Sequence, residues 1–372
     1  MKAPAITVNV GRQGDGKRTV LWWGHFDPEY SRNRILRQVL ANFGWSVRDF
    51  RPRSSALGDL EATLRGIETP ALVWVPCFRQ RDIVAAHRWA RRRGVPLLVD
   101  PLISAYDKQV FERRKFNVDS GRARRLLTWE RRCLGLADRV LADTVAHAEY
   151  FSKTLQVSIE KIQVVPVGAE EGLFSPGPWP SLGTGGALEI LFFGSFIPLQ
   201  GPRVIIEAAR CYRGPAVRWV LVGDGPLLAE CRQAAADLDQ ISFEPWVPYQ
   251  QLPCRISQAH ILLGIFGATP KASRVIPNKV YQAAACARPV VTLHAQAYPA
   301  ELIAKENSGF FWVPPGDPVA LAAAVADLAS DPWSLPVFGA AARQSYEAFL
   351  SVAHIEKQLV QVLIDLGLHP RS

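Results

Sequence analysis

Apolar and polar positions along the chain follow two alternating periods. Short runs with little polar interruption, "TVLWWG" (19–24), "ALVWVPC" (71–77), "VPLLVD" (95–100), "DRVLAD" (138–143) and "IQVVPVG" (162–168), have the length and content of buried strands, and "SVRDF" (46–50) reads as a further one. Between them lie segments with apolar residues every three or four positions: "SRNRILRQVLANFG" (31–44), closed by Gly44, "DIVAAHRWARRRG" (82–94), "RRLLTWERRCLGLA" (124–137) and "TVAHAEYFSKTL" (144–155). Strand and helix alternate, which predicts a parallel sheet wrapped by helices, with ligands gathered at the carboxyl ends of the strands.

A stretch dense in Pro, Gly and Ser, "FSPGPWPSLGTGGA" (174–187), reads as a linker, and the alternation then restarts. "LEILFFGS" (188–195), "VRWVLVGDG" (217–225), "ISFEPWV" (241–247), "HILLGIF" (260–266) and "RPVVTL" (288–293) are predicted strands. "GPRVIIEAARCY", "PLLAECRQAAADL" and "YQQLPCRISQA" are predicted helices, and 317–332 and 340–367 close the chain as helices. The expected organisation is a first α/β domain over 1–173, the linker 174–187, a second α/β domain over 188–350 and a C-terminal helix in 351–372 that packs back toward the first domain. Two doubly wound, Rossmann-like domains then face one another across a cleft.

Composition changes this picture little. A chain of 372 residues with 48% hydrophobic and 21% charged content is ordinary globular protein of two-domain size. Cys77, Cys133, Cys211, Cys231, Cys254 and Cys286 have neither metal-ligand nor disulfide-framework spacing, so no metal site is expected. No signal-peptide core or run of spanning length is seen, and a cytosolic location is expected. Charge says more. Residues 1–180 carry 29 Lys and Arg against 19 Asp and Glu, which holds all of the net +9 and more. Basic runs interleaved with Trp and Phe fit nucleic acid, an anionic membrane surface or solvated helix faces.

Two glycine-rich features need separating. "GRQGDGKRT" (11–19) is close to a Walker-type phosphate loop, yet Arg18 follows Lys17 and a strand comes next, so the loop lacks its helix and its Ser or Thr, and a flexible N-terminal segment is expected. In the second half, "LFFGSFIPLQG" (191–201), "LVGDGP" (221–226), "LGIFG" (263–267) and "IPNKVYQAAACARPVV" (276–291) each place glycine or a helix start directly after a predicted strand. Pro277 suits a helix start, whose free N–H groups and positive dipole end, with Lys279, Arg274 and Lys271 nearby, favour an anion.

In order and spacing these four segments resemble the donor-binding half of the GT-B glycosyltransferases, most closely the retaining family 4 group. The resemblance implies a nucleotide diphosphate sugar donor, no further cofactor, and a metal-independent transfer to a hydroxyl acceptor. Lys279 matches the lysine of a "PNKxxE" helix start, placed at the diphosphate, and Gln282 stands where the ribose-binding acid would be. Gly264 and Gly267 resemble glycines that let backbone approach the sugar and phosphates. Donor contacts are expected from Gly194, Ser195, Gln200, Gly223, Asp224, Gly225, Gly264, Phe266, Gly267, Lys271, Pro277, Asn278 and Gln282. Ser195 and Gln200 replace the usual arginine and lysine, and Gly264 replaces a frequent acid, so Lys271, Arg274 and Lys279 are expected to supply the positive charge.

Lys279, Arg274 and Asp100 are the expected catalytic residues, with front-face displacement and no protein nucleophile. Asp100 is chosen because an acid leaving a buried strand is costly unless used. On the first domain, "GHFDPEYSRNR" (24–34) and "DPLISAYD" (100–107) follow strands, which brings His25, Asp27, Tyr30, Arg32 and Asp107 toward the acceptor. The family's lipid-linked or glycan acceptors fall on this basic domain, which favours docking to anionic lipid at the inner face of the membrane over nucleic acid. The missing charges leave open a non-catalytic nucleotide-sugar-binding partner subunit, and the fold leaves open a sugar-nucleotide epimerase.

Overall fold

The computed structural model describes residues 18–113, 115–182 and 186–368. The Walker-like positions 11–17 lie outside the described residues. In the first half, β1 (Thr19–Trp23), β2 (Ser46–Phe50), β3 (Leu72–Val75), β4 (Leu97–Val99), β5 (Arg139–Ala142) and β6 (Ile162–Val164) form one sheet in the order β2-β1-β3-β4-β5-β6. In the second half, β7 (Leu188–Phe193), β8 (Val217–Val222), β9 (Ile241–Glu244), β10 (Ile261–Leu263), β11 (Val290–Leu293) and β12 (Phe310–Val313) form another, in the order β12-β11-β10-β7-β8-β9. Pairing is parallel in both sheets, for example Val20 with Leu72 and Leu191 with Leu262. The fold is thus α/β with two doubly wound sheets. Chain direction across each sheet reverses beside its first strand, between β1 and β3 and between β7 and β10, which opens a crevice at the carboxyl edge.

Both faces of the central strands β1, β3, β4, β7, β10 and β11 are covered, which is why they read as uninterrupted apolar runs. Trp22 and Trp74 from adjacent strands stack at 4.7 Å with no exposure. Strand β12, "FFWV", and the helices Gly58–Leu64 and Ala300–Ala304 add to the elements expected from the pattern. The run 340–367 divides at Leu350 and Ser351 into helices Leu335–Phe349 and Val352–Asp365.

The last helix crosses back to the first sheet. Ile355, Leu359, Val362 and Leu363, spaced for one helical face, are fully buried among Val20, Trp22, Ile35 and Leu36. Gly168, with φ +76°, lies beneath the crossing, and a Cβ there would sit 2.5 Å from the Ile355 side chain. Glu171 pins the turn by accepting from the Tyr346 hydroxyl and the Val352 N–H, each at 2.9 Å. All six cysteines are free thiols.

Candidate functional site

The crevices of the two sheets face one another around a cavity of about 670 Å³. Its second-domain wall begins at helix Asn278–Ala285. Pro277 precedes the first helical residue as its N-cap, with extended backbone (φ −73°, ψ 149°) and no side-chain cap, which leaves the first N–H groups free for a ligand. Asn278 donates to the Ser31 hydroxyl of the opposite domain at 3.1 Å. Lys279 is 5% exposed, and its Nζ has no hydrogen-bond partner. The ammonium lies 3.5 Å from the Phe192 ring centroid, whose π face offsets part of the desolvation. Burial nonetheless pushes the lysine well below its ordinary pKa.

Gly194, at the end of β7, makes room for that lysine. A Cβ at this position would lie 3.0 Å from the Lys279 Nζ and 3.3 Å from the Gln200 Oε1. Gln200 Oε1 is itself buried without a partner. A donor and an acceptor thus stand unpaired at one point of the wall, the pattern of a polar site awaiting a ligand. Ser195, Lys271 and Gln282 complete the expected residues on this wall, with Trp246 and Tyr249 from the segment after β9.

Other expected donor residues lie outside this cavity wall. Gly223, Asp224, Gly225, Gly264, Phe266 and Gly267 are absent from the cavity lining. Their glycines bring loop against loop: a Cβ on Gly223 would fall 2.0 Å from the Gly194 carbonyl, one on Gly225 2.6 Å from the Phe196 N, and one on Gly267 2.4 Å from the Pro198 carbonyl. At Gly264 it would strike Thr292 at 2.2 Å, so an acid has no space there. These residues shape the wall from behind.

The cations also divide. Arg274 is outside the cavity lining and pairs with Asp107 of the first domain at 2.9 Å, its guanidinium 4.3 Å from the Tyr150 ring centroid. Its carbonyl accepts from the Thr144 hydroxyl at 2.5 Å. Lys271 pairs with Glu112, again across the domains. Arg274 and Lys271 therefore fasten one domain to the other, and Lys279 is the one cavity-lining cation without a carboxylate partner among the described residues. Of the three cations expected at the anion, two thus hold a carboxylate in this structure and the third does not.

On the first-domain wall, Asp27 and Tyr30 line the cavity as expected, and burial raises the pKa of the Tyr30 hydroxyl. His25 points to the Pro52 carbonyl at 2.7 Å and lies outside the lining. Asp100 and Arg32 form a wholly buried pair at 2.7 Å beneath the floor, where Arg32 also holds the carbonyls of Val165 and Pro166 at 3.0 and 2.9 Å. Burial pushes the Asp100 carboxyl up and Arg32 pulls it back. Asp100 is outside the cavity lining: its Oδ2 is held by Arg32, and its Oδ1 is buried without a partner. Asp107, likewise buried, belongs to the Arg274 tie.

Sequence reasoning missed Ser31, Arg34, Asp143, Trp246 and Tyr249 on the lining. Asp143 had a signal, since it ends its strand as Asp100 does. Arg34 carries a bidentate bond to Glu170 and a further one to Glu29, and Glu170 accepts from the Tyr249 hydroxyl at 2.7 Å.

Comparison with known proteins fits this two-walled site. Residues 22–168 match the family model "Glycosyl transferase 4-like domain" and residues 187–331 match "Glycosyl transferases group 1", one on each sheet. The chain is a family 4-like GT-B glycosyltransferase. Over 205 residues this glycosyltransferase is 29% identical to the D-inositol 3-phosphate glycosyltransferase of Segniliparus rotundus, spanning 50% of this chain and 44% of that one. It is 32% identical over 164 residues to the same-named protein of Actinosynnema mirum, 39% of each chain. The match thus spans less than half of these relatives. Its fold is similar to Anabaena HepE solved with UDP (TM-score 0.70, 16% identity, 93% of this chain and 99% of that one). It is similar also to sucrose-phosphate synthase from Thermosynechococcus elongatus (TM-score 0.71, 17% identity, 94% and 99%).

Proposed function

We propose that the enzyme moves a sugar from a nucleoside diphosphate donor to a hydroxyl acceptor, with retention of anomeric configuration. The observation that carries this reading is the unpartnered, buried Lys279 ammonium at an uncapped helix start, beside Gly194 and the free Gln200 oxygen. A diphosphate supplies the countercharge that the site lacks, and the helix N–H groups add to it. As the bond from the anomeric carbon to the diphosphate oxygen breaks, negative charge grows on the phosphate. Lys279 is placed to stabilise it, an effect larger in a dry cleft than in water. The acceptor oxygen bonds to the anomeric carbon from the same face, and its proton leaves on the departing phosphate oxygen. UDP is the first nucleotide to test, because the solved HepE complexes hold UDP and UDP-glucose.

The test is thermal stabilisation by UDP, GDP and ADP, followed by transfer assays. One diphosphate is expected to raise the melting temperature, and Lys279→Ala to abolish that rise and turnover together. A wild-type protein indifferent to all three overturns the reading. Transfer that survives in Lys279→Ala shifts the leaving-group task elsewhere.

A second reading concerns place: docking to anionic lipid, with a lipid-linked or glycan acceptor. Helix Gly58–Leu64 exposes Leu60 and Leu64, and Leu57 precedes it, at 53%, 88% and 56% exposure. Next to it, helix Ile83–Arg93 edges a groove of about 680 Å³ lined by Val84, Arg88, Arg124, Arg125, Trp129 and Arg132. An apolar ridge beside an arginine-rimmed groove suits a negatively charged interface. Among the described residues no helix is long and apolar enough to cross a membrane.

A further inference from the structure

Asp143 follows β5 at the carboxyl edge of the first sheet, lines the cavity and is 4% exposed. Its Oδ1 lies 2.6 Å from Nδ1 of His147, one turn along helix Val145–Lys153. His147 is fully buried, its ring 4.6 Å from that of Phe151, and its Nε2 has no partner. A carboxylate can only accept, so Nδ1 carries the proton donated to it, and Nε2 is the nitrogen left without a partner. The ring thereby fixes the carboxylate. Among the described residues this is the one side-chain hydrogen bond of Asp143, and the residue otherwise opens on the cavity.

A carboxylate that opens on a cavity keeps spare acceptor capacity, which the hydroxyls of a ligand can use. The charges around it say which ligand. The first-domain wall presents Asp27, Glu29 and Asp143 against the single cation Arg34, and Arg34 is already held by Glu29 and Glu170. Across the cavity Lys279 stands unpaired. Anion capacity thus lies on the donor side, and hydroxyl-accepting capacity on the other.

We infer that Asp143, oriented by His147, binds hydroxyls of the acceptor, and that the end of the acceptor entering the cleft is an uncharged polyol rather than a phosphorylated one. This rests on the donor occupying the Lys279 side. Asp143 takes no proton in the transfer. It accepts hydrogen bonds from hydroxyls next to the reacting one and so sets which oxygen reaches the anomeric carbon.

The experiment uses the full chain and pairs of acceptors, alkyl glycosides with and without a 6-phosphate. Saturation-transfer NMR reads contact, and kinetics with the donor chosen by thermal shift read turnover. The uncharged glycosides are expected to show contact and a kcat/KM at least tenfold above their phosphorylated partners. Asp143→Asn is expected to raise the acceptor KM about tenfold or more with the donor KM and diphosphate stabilisation unchanged, and His147→Gln to do the same to a smaller degree. A preference of the wild-type enzyme for the phosphorylated acceptor overturns the inference even if neither variant folds. An acceptor KM unmoved in a folded Asp143→Asn protein overturns it as well. Absence of any diphosphate stabilisation in wild type is a failure of the donor reading instead, and the NMR comparison still decides the acceptor's charge.

Discussion

Lys279 shows how a binding residue can work against the fold that carries it. Its ammonium is buried without a carboxylate, and burial lowers its pKa from the ordinary 10.5. Between that lowered value and 10.5 the unfolded chain holds a proton that the folded chain has released, so stability rises with pH through this window. Below the window the penalty is fully developed, and above it the penalty is gone. Lys279→Met, which keeps the stem and removes the charge, is therefore expected to raise the melting temperature of the ligand-free protein by about 2–4 °C near pH 7. The gain shrinks as pH approaches 10.5, while diphosphate stabilisation disappears at every pH. Calorimetry across pH checks this, and a less stable ligand-free variant would count against an unpaired lysine. The residue itself was legible as a cation after proline at a helix start. That it stands alone was not, because the partners of Arg274 and Lys271, namely Asp107 and Glu112, come from positions more than 150 residues earlier.

At the scale of elements, the central strands were legible because both faces are covered and burial leaves no polar alternation to confuse the pattern. Helix Gly58–Leu64 escaped notice because its outward face is itself leucine, which removes the contrast that marks an amphipathic segment. "VPLLVD" and "DRVLAD" each end in aspartate, and nothing in their composition shows that one acid lies under the floor with Arg32 while the other reaches the cavity. That distinction comes from the helix Ser31–Asn42, which carries Arg32 inward. The same logic governs the interdomain ties. Asp107 is 2% exposed at its side chain and Glu112 is 18% exposed. Asp107→Asn leaves Arg274 without its buried partner and is expected to cost about 3–5 kcal/mol. Glu112→Gln is expected to cost less and to loosen the closed arrangement. Urea denaturation orders the two costs, and small-angle scattering detects any opening. Equal costs with unchanged scattering would mean the pairs do not fasten the domains.

For the molecule as a whole, two features oppose one another. The first domain holds the positive surplus outside, on the arginines of the helices around 83–93 and 121–135, yet turns carboxylates toward the cleft. Attraction to an anionic surface and selection of an uncharged acceptor end can then act on separate faces. Co-sedimentation with phosphatidylglycerol vesicles is expected to fall with added salt, with replacement of phosphatidylglycerol by phosphatidylcholine, and with Leu60→Ser plus Leu64→Ser. Binding that ignores all three changes would remove the docking surface. Both halves of the fold were legible in outline from the alternation of strand and helix, whereas the partition of charge between outer face and cleft depends on which side of each strand end a residue occupies.

The returning helix Val352–Asp365 carries one more implication. Four of its side chains complete a core begun by β1. During synthesis the β1 segment must therefore wait, with Trp22 and Ile35 incompletely covered, until the more than 300 residues that lead to this helix have followed. The first sheet is thus made early and finished late, and in the interval a chaperone could shield its open apolar face.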